Sequence, residues 1–174
     1  MNRLPSAVLG VALLVACGPG GQSGGVMDIT WVGADTAQIR APATARWCQE
    51  GNWLEVTGLL GDTGVGVVVY PEDSIRAGAY PVHDPTDSLG SGAAIALRWF
   101  GANAVYAFQS RSGSVSVAEE SDGTIRGHFD ARAVSVMRPE TLAVAGTFRH
   151  VSVMPGEAGC AAVVRRPVAD TSVD

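Results

Sequence analysis

A chain of 174 residues that is 47% apolar and 17% charged has room for one ordinary domain plus appendages, and it is too apolar for the disordered class. With a formal net charge of −5 it carries no basic stripe to neutralise phosphates along a duplex, so no nucleic-acid partner is expected. Nothing repeats at a solenoid or propeller period, so a single core is expected.

The first segment, "MNRLPSAVLGVALLVAC", has one basic residue, Arg3, then an apolar run from Leu4 to Ala16 that ends in small residues. It is too short to span a bilayer and has the order of a secretory signal: charged start, apolar centre, small-residue end. Its last four residues, Leu14, Val15, Ala16 and Cys17, resemble the lipobox of bacterial lipoproteins. That resemblance implies removal of residues 1–16, a diacylglycerol on the Cys17 sulfur, and in many cases a further acyl chain on the new amino group. The next residues, "GPGGQSGG" at 18–25, are glycine-rich and polar, as a tether should be. About nine tether residues reach roughly 17 Å, which keeps the domain near the membrane surface. Several acyl chains, at about 0.8 kcal/mol per buried methylene, make attachment effectively permanent. In lipoproteins of diderm bacteria an Asp after the lipidated Cys favours the inner membrane. Here Gly18 follows, which implies the outer membrane if the host is diderm and otherwise the outer face of the cell membrane.

With Cys17 assigned to lipid, Cys48 and Cys160 remain in a compartment where disulfides persist. Their pairing is the simplest expectation, with two buried thiols as the alternative. The bridge would close a loop of about 110 residues, worth up to roughly 4.7 kcal/mol in the chain-entropy model.

From about residue 27 the chain reads as short alternating segments separated by turn residues. Strands are expected near 27–32, 36–40, 43–49, 52–60, 64–70, 78–82, 93–100, 103–110, 113–119, 124–134 and 142–151, with a further short one at 160–164. The connectors "GDTG" (61–64), "GAN" (101–103), "SRSG" (110–113) and "SDG" (121–123) have tight-turn chemistry and predict antiparallel neighbours. The segment "PEDSIRAG" (71–78) is the one helical candidate and supports a single turn at most. The piece "HDPTDSLGSG" (83–92) reads as an exposed loop. The expected fold is therefore all-β: a single antiparallel sandwich or meander barrel of about eight to ten strands. It occupies 27–164, after a lipidated cysteine and tether at 17–26 and before a flexible tail at 165–174.

Two strands share an apolar-x-Gly-x-Phe pattern: Ile125, Gly127, Phe129 and Val144, Gly146, Phe148. A glycine on the buried face weakens a strand unless a neighbour fills the vacancy. If the two form an antiparallel hairpin, a turn over 135–140 sets Gly127 opposite Phe148 and Phe129 opposite Gly146. Each ring then covers the glycine facing it, the arrangement known as aromatic rescue. The alternate set Thr124, Arg126, His128, Asp130 and Arg132 is wholly polar, so one face of this hairpin should be wet. Beyond the lipobox, such I-x-G-x-F patterns and the "GAY" of 78–80 are similar to the β-rich domains of bacterial lipoproteins of unassigned function, a resemblance that implies no activity.

Catalytic signatures are sparse. Gly21, Ser23 and Gly25 satisfy G-x-S-x-G, but they lie in the tether rather than between a strand and a helix. His83, His128 and His150 lack zinc-ligand spacing, and Cys48 and Cys160 are remote from one another, so no metal site is expected. His83, Asp84, Asp87 and Ser88 are acid–base candidates in a loop, and Glu119, Glu120 and Asp122 form an acidic hairpin tip that reads as a solvated turn rather than a calcium site. Trp31, Trp47, Trp53 and Trp99 read as core packing, or as the lining of a cavity if the sheet closes. No catalytic residue, metal or cofactor is expected. The expected function is a membrane-anchored, non-enzymatic binding or envelope-interaction module. Its partners would be the membrane, through the N-terminal lipid, and an envelope protein. The alternative is a lipocalin-like carrier of a small apolar or sugar-like ligand.

Overall fold

A computed structural model describes residues 24–33, 35–84 and 90–156. Cys17, the tether through residue 23, Asp87, Ser88, Cys160, the strand expected at 160–164 and the tail lie outside the described residues. Among the described residues ten strands form: β1 (Gly25–Val32), β2 (Ala37–Cys48), β3 (Trp53–Leu60), β4 (Thr63–Tyr70), β5 (Gly78–Pro81), β6 (Gly92–Phe100), β7 (Val105–Glu119), β8 (Ile125–Ser135), β9 (Thr141–Val151) and β10 (Val153–Pro155).

Alternation in the sequence becomes alternation in burial, because successive side chains of a strand point to opposite faces. Met27, Ile29 and Trp31 of β1, Leu54 and Val56 of β3, Val65, Val67 and Val69 of β4, and Ile95 and Leu97 of β6 are all buried. Burying each such side chain contributes roughly 1.5–3 kcal/mol. One continuous core results, enclosed by the sheet itself.

The sheet closes. β1 pairs with β2 on one side and with β9 on the other, so β1, β2, β3, β4, β6, β7, β8 and β9 form an eight-stranded antiparallel barrel of meander order. Of the two architectures open to the sequence, the barrel is the one formed. Closure removes both sheet edges, the groups that would otherwise offer unpaired N–H and C=O to another chain.

Two expected breaks are absent. The segments at 36–40 and 43–49 form one strand, β2, whose first half pairs with β1 and whose second half pairs with β3. Pro42, which has no N–H to give, lies just before the β3 pairing begins at Ala43. The segments at 103–110 and 113–119 likewise form one strand of 15 residues, β7. "SRSG" is not a turn there but a bulge, with the register shifting between Ser110 and Ser112 and Gly113 at φ 135°. Before the bulge β7 pairs with β6, and after it Ser114–Val117 pair with β5. The hydroxyl of buried Ser110 accepts the Ile95 N–H at 2.8 Å where the β6 ladder loses its backbone partner.

The helical turn expected at 71–78 does not form. Asn52 Nδ2 donates to the carbonyls of Pro71 and Glu72, each at 3.2 Å. The Tyr80 hydroxyl donates to the Arg76 carbonyl at 2.8 Å and accepts its N–H at 3.0 Å. Those groups are taken by tertiary partners, and one isolated turn cannot repay its nucleation cost.

The hairpin register follows the glycine pattern: Gly127 faces Phe148 and Phe129 faces Gly146. A Cβ built on Gly146 would lie 2.5 Å from Phe129 Cζ and 2.6 Å from the Asp28 carbonyl oxygen. One built on Gly127 would lie 2.7 Å from Phe148 Cε1 and would overlap the Ser116 carbonyl oxygen. Both rings therefore occupy the space their glycines vacate, and both are buried.

Candidate functional site

The barrel interior is filled. At one mouth, near Asp35, Trp99, Tyr106, Phe108, Glu140 and Leu142, is a cleft with room of about 10 Å³. A single water needs about that much, whereas small-molecule sites span hundreds of Å³. Aromatic rings close this mouth. Trp99 stacks on Trp31, Tyr106 and Phe108 at centroid distances of 5.3, 5.0 and 5.3 Å, and the Arg138 guanidinium lies 5.2 Å from the Tyr106 ring centre. Trp31 is buried and its indole N–H has no partner among the described residues. Trp53 instead packs edge-on against Tyr70 at 6.4 Å, and Trp47 lies half-buried against the core.

Around that same end, where β1, β3, β6 and β8 finish, lie the exposed apolar side chains Val32, Leu59, Leu60, Phe100, Val105, Val136 and Met137. The chain enters β1 from the opposite end, at Gly25. β1 spans eight residues, so the rim stands up to about 26 Å from Gly25, at roughly 3.3 Å per residue.

The outer wall of β7, β8, β9, β1 and β2 is polar. Ser116, His128, Thr147, Asp28 and Arg40 are successive direct cross-strand neighbours and make one row across all five strands. Ser116 Oγ and His128 Nδ1 are 2.6 Å apart. Arg149 donates to Asp28 Oδ2 at 2.8 Å, and Arg40 Nη1 stands 3.5 Å from Asp28 Oδ1. Along part of this row runs an open depression of about 440 Å³, lined by Ser116, Ala118, Arg126, His128, Thr147 and Arg149 with Gly127 and Phe148 completing it.

A bulge shapes the end of the depression. Between Ile125 and Gly127 the β8–β9 register shifts, so Arg149 and His150 together oppose Arg126. His150 takes φ 53°, a conformation rare for a residue with a Cβ. Glu120 holds it there: its Oε2 accepts the His150 N–H at 2.9 Å and lies 3.1 Å from His150 Nδ1. Thr124 Oγ1 reaches Glu120 Oε2 at 3.0 Å and Asp122 Oδ1 at 2.5 Å, and the Thr124 N–H donates to Asp122 at 3.0 Å. The hydrogen bond from the Thr124 hydroxyl, then that from its N–H, holds the Asp122 carboxyl below its ordinary value of 3.8.

No family model matches this chain, and no match was found among the curated proteins or the solved structures.

The sequence-predicted residues are therefore placed by geometry alone. Asp84 forms an ion pair with Arg111 beside the β7 bulge, and His83 lies over Gly92. Of the acidic tip, Glu120 and Asp122 serve the turn and the bulge, and no cluster of metal-ligating side chains occurs among the described residues. Cys48 is buried at the end of β2. The sequence does not announce the depression, although two of its eight lining residues, Arg126 and His128, belong to the polar set of β8. Ser116 and His128 are spaced as the first two members of a nucleophilic relay. Asp130, on the same face, accepts instead from Ser114 at 3.0 Å, and no hydrogen bond among the described residues joins His128 to a carboxylate. The arrangement is suited to gripping a ligand through hydroxyl, imidazole and guanidinium donors.

Proposed function

We propose that this protein is a lipid-anchored extracytoplasmic module of the bacterial cell envelope that presents a filled β-barrel to a protein partner. The observation that carries the reading is that seven of the nine exposed large apolar side chains among the described residues gather at the barrel end opposite Gly25, with only Val153 and Met154 of β10 elsewhere, while a tether from Cys17 would join at Gly25. Monomers rarely gather exposed apolar surface in one place, and such patches mark interaction sites. A chain held at one end by acyl groups and apolar at the other is arranged to bind away from its own membrane. The lipobox Leu14–Cys17 supports anchoring, and the filled interior favours an exterior binder over a lipocalin-like carrier, which needs an internal space.

Two measurements test it. Intact mass and membrane fractionation of the native chain and of Cys17→Ser should give an acylated, membrane-bound form and an unacylated, released one. Capture from detergent-solubilised membranes should recover a defined envelope protein with the wild type, and lose it with Phe100→Ser or Met137→Ser. A native chain that is unacylated and free in the medium sinks the anchor. Capture unaffected by both rim substitutions sinks the docking role. Saturable uptake of an apolar ligand into the barrel would restore the carrier.

A further inference from the structure

We propose that the depression on the β7–β8–β9 wall is a binding site for a phosphate-type oxyanion, held between Arg126 and Arg149. It is independent of the lipid anchor and of the apolar rim.

The first reason is electrostatic. One step beyond the Gly127–Phe148 pair, the hairpin register sets Arg149 against Arg126 on the neighbouring strand, and like charges placed opposite one another destabilise a sheet. Arg149 has Asp28 as a partner, but Asp28 is shared with Arg40, and no ion pair forms to Arg126 among the described residues. The wall thus keeps uncompensated positive charge on a chain whose net charge is −5. An anion seated between the two guanidinium groups turns the repulsion into two charge-assisted hydrogen bonds.

The second reason is the backbone. A bulge re-aims side chains, and this one depends on His150 in the left-handed region, a conformation costing on the order of 1–3 kcal/mol and tolerated here only because Glu120 grips both the N–H and the ring of His150. His150 itself is exposed, and the extra residue returns Val151 to the core opposite Ile125. The bulge also sets His150 beside Arg149 against the single Arg126, so the ladder opens at the arginine end of the depression.

The third reason is the donor set. Ser116, His128 and Thr147 follow the two arginines along the same depression, and its volume of about 440 Å³ lies within the usual range for a small-molecule site. Two guanidinium groups, two hydroxyls and an imidazole offer more donors than the two oxygens of a carboxylate can use. They match a phosphate monoester, with three terminal oxygens and up to two negative charges. The phosphate can belong to a lipid headgroup or to a soluble molecule.

The test uses the full chain carrying Cys17→Ser, so that acyl groups do not drive membrane association. One probe is inorganic phosphate, followed by calorimetry and by the amide shifts of Ser116, His128 and Thr147. The other is phosphatidylcholine vesicles with or without phosphatidic acid, followed by co-sedimentation. Binding should fall about tenfold in Arg126→Gln, as expected for loss of one charged hydrogen-bonding group, and should persist in Arg46→Gln, which removes the same charge from the pair with Glu55 on another wall. Response to both probes, or to phosphate alone, or to phosphatidic acid vesicles alone, supports the site and identifies the source. The proposal fails if neither probe binds, or if Arg46→Gln weakens binding as much as Arg126→Gln does. Arg149→Gln, which also loosens Asp28, provides a second reading with circular dichroism as the folding control.

Discussion

Gly127 and Gly146 show how much a single carbon atom decides. A methyl group at residue 146 would press on Phe129 and on the Asp28 carbonyl of the adjacent strand, and the backbone atom cannot swing aside. Gly146→Ala should therefore destabilise by roughly 1–3 kcal/mol, the usual range for overpacking, read as a lowered urea midpoint. Phe129→Ala, which empties the same space, should cost about 3–5 kcal/mol. Equal stability of Gly146→Ala and wild type would mean that the ring does not need the vacancy. Asp122 gives a pH prediction at the same scale. Its carboxyl is held below 3.8 by Thr124, so the turn is supported at all pH values above the unfolded-chain value and loses that support as pH falls through the lower folded value. A titration of the Asp122 carboxyl by nuclear magnetic resonance should give a midpoint below 3.8 in the wild type, moving upward in Thr124→Val. The residue pattern made the glycine–phenylalanine exchange readable in advance, because parity and turn length set the register. The same register sets Arg126 against Arg149, whereas no spacing announces the bulge that adds His150 beside them.

Among the elements, β7 departs most from its sequence pattern. Ser and Gly at 110–113 read as a turn, yet the same residues serve a bulge equally well, since both need a local break in the ladder and a positive φ. What decides between them is the availability of partners: β8 runs beside β7 from Phe108 to Glu119, on both sides of the bulge, whereas β6 and β5 share its other side in succession. Ser110 repairs the handover by accepting from Ile95 N–H inside the core. Ser110→Ala should leave that buried donor unsatisfied and cost about 1–3 kcal/mol. The check is chemical denaturation together with amide exchange at Ile95, which should speed up more than its neighbours in β6. Segment 71–78 teaches the complementary lesson. Pro71, the acids and Gly78 are sound local helix signals, but Asn52 and Tyr80 take the backbone groups, and neither contact can be seen from within the segment.

For the whole molecule, closure and covalent anchoring are the matters at stake. β10 runs parallel to the second half of β2, and the Gly156 N–H donates to the Trp47 carbonyl at 2.7 Å, which delivers the chain beside Cys48. Cys160 follows four residues later, a span of up to about 14 Å when extended. We therefore expect a non-reducing peptide map to recover Cys48 joined to Cys160, and reduction to lower the thermal midpoint, with a ceiling of roughly 4.7 kcal/mol. Free thiols at both positions in protein isolated from the envelope would remove this brace from the account.

The amino-acid sequence by itself determined the all-β class, the inward-facing apolar set and the register of the last hairpin, because each follows from two-residue periodicity and turn chemistry, which are local properties. It also carried the expectation of a lipid anchor at Cys17. Only the tertiary structure decided that the sheet closes on itself around one packed core, and that the facing Arg126 and Arg149 line an open depression at a bulge. Those outcomes depend on which strands meet at the seam and on where the ladder slips, and both are set by the competition among all strands for partners.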